Sequence, residues 1–215
     1  MKYIWVNPVA AGMYEPELLD EFLKQHGYQR FETSMDWLSI VREKYREAVK
    51  QSDKTVIDMR CPKAAKLVRE MSGSLEVTFP DIYPILIHCG QEAGFTEELI
   101  NTEKIITTPC KALADMGNAL GISKTEFISW SEFLKSFADI PKPAMLKQSP
   151  IPLGFFEPLN LQCKSLTGKE EIENYFRNFH PNEVQLVEML YCEDGCHNGD
   201  GIVRESDIFD SKSGK

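Results

Sequence analysis

Three times along the chain a short apolar run stops at a loop that carries cysteine. Thr55-Val56-Ile57-Asp58 precedes Arg60-Cys61-Pro62, Lys104-Ile105-Ile106-Thr107 precedes Thr108-Pro109-Cys110, and Val184 to Leu190 precedes Cys192 and Cys196. Each run has strand length, and helical patterns follow the first two. Pro62 suits the first turn of a helix through Ala64, Ala65, Leu67 and Val68, and Lys111 to Leu120 reads as a helix closed by Gly121. Strands alternating with helices of this length predict parallel strands joined by crossovers, an α/β fold. In such sheets a ligand crevice lies beyond the carboxyl ends of the strands, where Cys61, Cys110, Cys192 and Cys196 all fall.

The rest of the chain fits this frame. Lys2 to Val6 reads as a strand and Pro8 to Met13 as a turn. A helix from Pro16 carries Leu18, Leu19, Phe22 and Leu23 and stops at Gly27. Ser34 is placed to cap a helix bearing Trp37, Leu38, Ile40, Val41, Tyr45 and Ala48. Gly73 to Phe79 is irregular or a short strand, and Pro84 leaves the type of Ile82 to Cys89 open. Glu126 to Ser129 is a strand leading to a short helix around Trp130 to Phe137. Five prolines between Pro141 and Pro158 mark a connection. Thr167-Gly168-Lys169-Glu170 fits a capping box for a helix through Ile172, Tyr175 and Phe176. The domain is expected over 1–205, either whole or as two lobes joined near 141–158, with a flexible tail at 206–215.

Composition narrows the function. No run approaches the ~20 apolar residues of a membrane-spanning helix, and the first residues are too weakly apolar for a secretory signal, so a cytoplasmic protein without a membrane partner is expected. A formal charge of −9, spread along the 215 residues, argues against nucleic acid. There is no Gly-x-Gly-x-x-Gly, phosphate-binding loop or nucleophile elbow.

The six cysteines are too few for a disulfide scaffold. Cys61 and Cys110 stand at expected helix starts, where backbone N–H groups favour a thiolate. Four thiolates meet the need of a [4Fe-4S] cluster and equally of structural zinc. Zinc sites usually use two short Cys-x-x-Cys pairs, whereas the single close pair here has three residues between its cysteines, which leans toward iron-sulfur. The bland alternative is buried apolar cysteines with no metal. Asp194, Asn198, Gly199 and Glu205 match parts of a calcium loop, but Cys196 and Gly201 occupy positions that require an oxygen and an apolar side chain. Cys163 reads as a free thiol in a connection, His88 beside Cys89 as a packed histidine, and His197 as a solvated loop residue.

With these residues in place, the chain resembles the catalytic domain of iron-only ([FeFe]) hydrogenases. Arg60-Cys61-Pro62, Thr108-Pro109-Cys110-Lys111-Ala112 and the run from Glu188 through Cys192 and Cys196 to Gly201 resemble the three family motifs in order. The resemblance implies two α/β lobes with a [4Fe-4S] cluster between them, held by Cys61, Cys110, Cys192 and Cys196. It also marks departures. Arg60 stands where hydrogenases commonly have a proton-relaying cysteine, Thr108 and Leu190 replace methionines, and Leu113 replaces the lysine that holds a cyanide. The segment Ser149 to Gly154 does not resemble the family's glycine-rich active-site segment. The expectation is therefore a hydrogenase-like protein that binds one cluster for electron transfer or redox sensing, with a redox partner protein and no catalytic residues. The alternatives are a divergent hydrogenase with a diiron site and a non-redox interaction module with zinc or no metal.

Overall fold

The computed structural model describes residues 1–73, 75–181 and 183–203. The expected tail at 206–215 lies outside the described residues. Two compact units are present. Unit 1 comprises Met1–Thr33, Gly90–Ile151 and the segment from His197; unit 2 comprises Ser34–Cys89 and Pro152–Cys196.

Unit 1 is built on β1 (Lys2–Trp5), β2 (Tyr28–Arg30), β5 (Lys104–Thr108) and β6 (Thr125–Ser129), in the order β2-β1-β5-β6 with every pairing parallel. Between β1 and β2 run α1 (Pro8–Ala11) and α2 (Pro16–Gln25). The region read as a turn is one helical turn. Asn7 caps it through Oδ1, which accepts the Ala10 N–H at 3.0 Å. Asn7 is fully buried because its own N–H and its amide both donate to Thr107 Oγ1, at 2.9 and 3.1 Å, tying the end of β1 to β5. The apolar residues of α2 fall at helical spacing, so Leu19, Phe22 and Leu23 are buried while Leu18 is left exposed.

Unit 2 is built on β3 (Thr55–Ile57), β4 (Val77–Thr78), β7 (Cys163–Thr167) and β8 (Leu186–Leu190), in the order β4-β3-β8-β7, again parallel throughout. Because strand side chains alternate, its two faces form two cores. Val56 and Leu186, register partners, pack with Val41, Tyr45 and Val49 of α3 (Trp37–Gln51) and with Phe155 and Phe156. Ile57, Leu166, Val187 and Met189 point the other way, onto α4 (Pro62–Met71) and α8 (Lys169–Arg177). Asp36, not Ser34, caps α3, its Oδ1 accepting the Ser39 N–H at 3.1 Å.

Two regions differ from the sequence reading. Cys163, expected in a connection, begins the edge strand β7. Pro84 does not break its segment: it precedes α5 (Ile85–Phe95), and its carbonyl accepts the N–H of Ile87 at 2.9 Å. In unit 1, α6 (Lys111–Ala119) and α7 (Trp130–Leu134) match the expected helices, with Trp130 fully buried. No helix among the described residues is long and apolar enough to cross a membrane.

Candidate functional site

In unit 2, β3 runs out at Ile57 and Cys61 becomes the residue capping α4. The parallel pairing of Ile57 with Val187 brings Cys61 and the Cys192 loop to the same edge of the sheet. Cys61 Sγ accepts the N–H of Tyr191 at 3.5 Å. Burial raises the Cys61 thiol's pKa, and the N–H groups of Tyr191, Ala64 and Lys63 oppose that rise. Beyond β8, Thr167 Oγ1 donates to the Cys192 carbonyl at 3.1 Å, and the same carbonyl accepts the Gly195 N–H at 3.2 Å. Asp194 and Gly195 both take positive φ, 57° and 115°, so the chain turns tightly between Cys192 and Cys196. Both cysteines are half-buried.

In unit 1, Cys110 is buried at the start of α6, and its carbonyl accepts the Thr108 hydroxyl at 2.8 Å. The residues that follow Cys196 in the chain are seated on this loop. Gly201 N–H donates to the Pro109 carbonyl at 3.0 Å, the Gly201 carbonyl accepts the Ser131 N–H at 2.8 Å, and Asp200 Oδ1 accepts the Lys111 N–H at 3.1 Å. A Cβ on Gly201 would lie 2.8 Å from Cys110 N and 2.9 Å from its Cα, so only glycine permits this approach.

Three of the four expected ligands, Cys61, Cys192 and Cys196, thus belong to unit 2 and Cys110 to unit 1. Among the described residues no three His, Cys, Asp or Glu side chains converge as one metal ion requires. A zinc ion needs all its sulfurs at about 2.3 Å from one point, whereas a cubane takes each thiolate on a different iron. Four thiols are the donor chemistry that such a cluster takes, and one of the expected ligands, Cys61, receives a backbone N–H. When bound, such a cluster supplies a one-electron couple.

Next to Cys61 lies a buried charged group of which the motifs mark only Arg60. Asp58 and Glu188 share one face of the sheet with Val56 and Leu186, and both are completely buried. Arg60 joins them. Its Nε lies 3.0 Å from Asp58 Oδ1, and its Nη2 lies 2.8 Å from both Asp58 Oδ2 and Glu188 Oε1. The guanidinium sits over the rings of Phe155 and Phe156, 3.8 and 4.6 Å from their centroids. Glu188 also accepts the N–H groups of Gly154 and Phe155, at 2.7 and 3.0 Å, and the Ser165 hydroxyl at 2.7 Å. Tyr45 closes the network, donating its hydroxyl to Asp58 Oδ1 at 3.1 Å and accepting the Met59 N–H at 2.7 Å. Burial alone would lower the pKa of Arg60; the charge of Asp58, its hydrogen bonds and the charge of Glu188 outweigh this and raise it. The signal was present in the sequence: a carboxylate inside an apolar strand must find a buried cation.

The remaining candidates separate clearly. His88 is buried and stacked on Trp37, with ring centroids 4.7 Å apart and planes 8° from parallel. Cys89 is buried within α5. His197, expected as a solvated residue, is half-buried and its Nδ1 has no hydrogen-bond partner among the described residues.

No protein-family model and no curated protein matches the chain. Solved structures do. An [FeFe]-hydrogenase studied for oxygen inactivation through its H cluster 2Fe subcluster superposes with a TM-score of 0.55 at 11% identity, over 98% of this chain and 82% of that one. The fold is hydrogenase-like. Two variants of the [FeFe]-hydrogenase HydA1 from Chlamydomonas reinhardtii give TM-scores of 0.53 and 0.54 at 12% identity, each over 98% of this chain and over 82% and 81% of their own. At such identities the likeness shows the fold alone, an α/β fold with two parallel sheets flanked by helices, and leaves the chemistry to the residues.

Proposed function

We propose that this protein binds one [4Fe-4S] cluster through Cys61, Cys110, Cys192 and Cys196 and uses it to transfer or sense single electrons. The observation that carries this reading is the position of the cysteines. Cys61 and Cys192 follow parallel neighbours β3 and β8, Cys110 follows β5, and the glycine that trails Cys196 is pressed against the Cys110 backbone. Iron-sulfur chemistry is also what the hydrogenase-like fold suggests.

Hydrogen chemistry has no matching support. It would need donors to diatomic ligands and a proton carrier beside the cluster. At the corresponding positions Arg60 is engaged by two carboxylates, Thr108 by the Cys110 carbonyl, and Leu113 and Leu190 are buried and apolar.

Anaerobic purification with analysis of iron, sulfide and zinc tests the reading. About four irons and four sulfides per chain are expected. They should be lost in Cys192→Ala/Cys196→Ala and kept in Cys163→Ala. Stoichiometric zinc with no sulfide would overturn the proposal, and infrared bands of bound CO and cyanide would replace it with the divergent hydrogenase.

A further inference from the structure

Within unit 2 two buried carboxylates share a single buried guanidinium immediately before Cys61. The side chains of Asp58 and Glu188 are 0% exposed and that of Arg60 is 8% exposed. Tyr45 and Ser165 contribute only neutral hydroxyls, and Gly154, Phe155, Met59 and Met189 contribute backbone N–H groups. Arg42, which also lies over the Phe155 ring, is half-exposed and donates to the Phe155 carbonyl at 2.7 Å, so solvent screens its charge. Asp58 and Glu188 together carry two formal negative charges against the one positive charge of Arg60, so among the described residues the ion-paired network is left with one formal negative charge.

We propose that the Asp58–Arg60–Glu188 network, as a fixed buried anion beside Cys61, holds the cluster at a low reduction potential and so favours giving up the electron. This rests on the proposed four-cysteine cluster. Reduction adds one electron from a donor protein and neither forms nor breaks a bond, so its free energy responds directly to nearby charge, and burial keeps that charge unscreened. Asp58, Arg60 and Glu188 are in this sense positioning residues, since none of them is offered as a ligand.

The test is a redox titration of the loaded protein, wild type beside Glu188→Gln and Asp58→Asn, with Ser165→Ala as a control that removes a hydrogen bond and no charge. Each carboxylate replacement should raise the ratio of reduced to oxidised cluster at fixed poise about tenfold, which is about 59 mV for a one-electron couple. Ser165→Ala should stay within roughly twofold. Arg60→Gln, which removes the cation, should move the potential the opposite way. A merely structural role predicts lost cluster or lost stability without this reversal of sign. The two carboxylate variants are alternatives to one another, so that one that fails to fold leaves the other to decide. A loaded Glu188→Gln or Asp58→Asn protein with an unchanged potential overturns the inference alone. A wild-type chain without iron and sulfide overturns the cluster reading and this inference with it.

Discussion

Glu188 shows how much one side chain can reach when it is buried among apolar neighbours. Its position in β8 is fixed by strand alternation, which sends Val187 and Met189 to one core and Glu188 to the other face beside Leu186. There it meets Arg60, the loop from Gly154, and Ser165, its register partner on β7. Its charge also acts on Cys163, whose thiol burial and then Glu188 push up to about 11 from an ordinary value of 9.0. The folded state thus keeps its proton where the unfolded state loses it. Stability from this source is complete below about pH 9 and declines as the pH rises toward 11. Denaturant midpoints at several pH values across this range should fall less in Cys163→Ser than in wild type. Alkylation of Cys163 should show the same raised midpoint, and Glu188→Gln should move it down. An ordinary thiol titration in the folded wild type would contradict this.

At the scale of elements, the packing of α5 and α6 on β6 turns on two glycines and one ring. Phe127, buried in β6, lies so close to both helices that a Cβ on Gly117 would be 2.3 Å from its ring, as would one on Gly90. Gly117→Ala gains about 1 kcal/mol of helix propensity. The ring cannot yield toward Gly90, so overpacking, at about 1–3 kcal/mol, should outweigh that gain. A lower urea midpoint with an unchanged slope is expected, and partial recovery when Phe127→Leu is added. Neither glycine's role could be seen in the sequence, because the ring that demands it comes from another element. The same division explains what was legible. β3, β5 and β8 stood out as apolar runs because parallel strands are buried on both faces, and α4 and α6 because Pro62 and Gly121 mark their ends. β7 did not, since an edge strand whose Lys164 is exposed lacks a continuous apolar signal. The cysteines could be found from their local pattern, whereas pairing Arg60 with Glu188 requires knowing that β3 and β8 are neighbours.

For the whole molecule, the decisive property is that each unit carries its own sheet and its own buried core. Ile4, Ile106, Phe127 and Trp130 fill unit 1, and Val56, Ile57, Val187 and Met189 fill unit 2. A small metal-dependent domain lacks such cores, and for it the free energy of metal binding is the free energy of folding. Here apolar burial supplies the driving force for each sheet, and the proposed cluster adds only its binding term, which grows with the logarithm of free ligand concentration relative to its Kd. Removing the cluster anaerobically with a chelator should therefore lower the thermal midpoint but leave the far-ultraviolet circular dichroism nearly unchanged. Amide exchange should stay slow at Ile106 and Val187 and quicken at Tyr191, whose N–H is directed at Cys61 Sγ. Collapse of the spectrum on chelation would mean that the metal, and not the two cores, holds the chain folded.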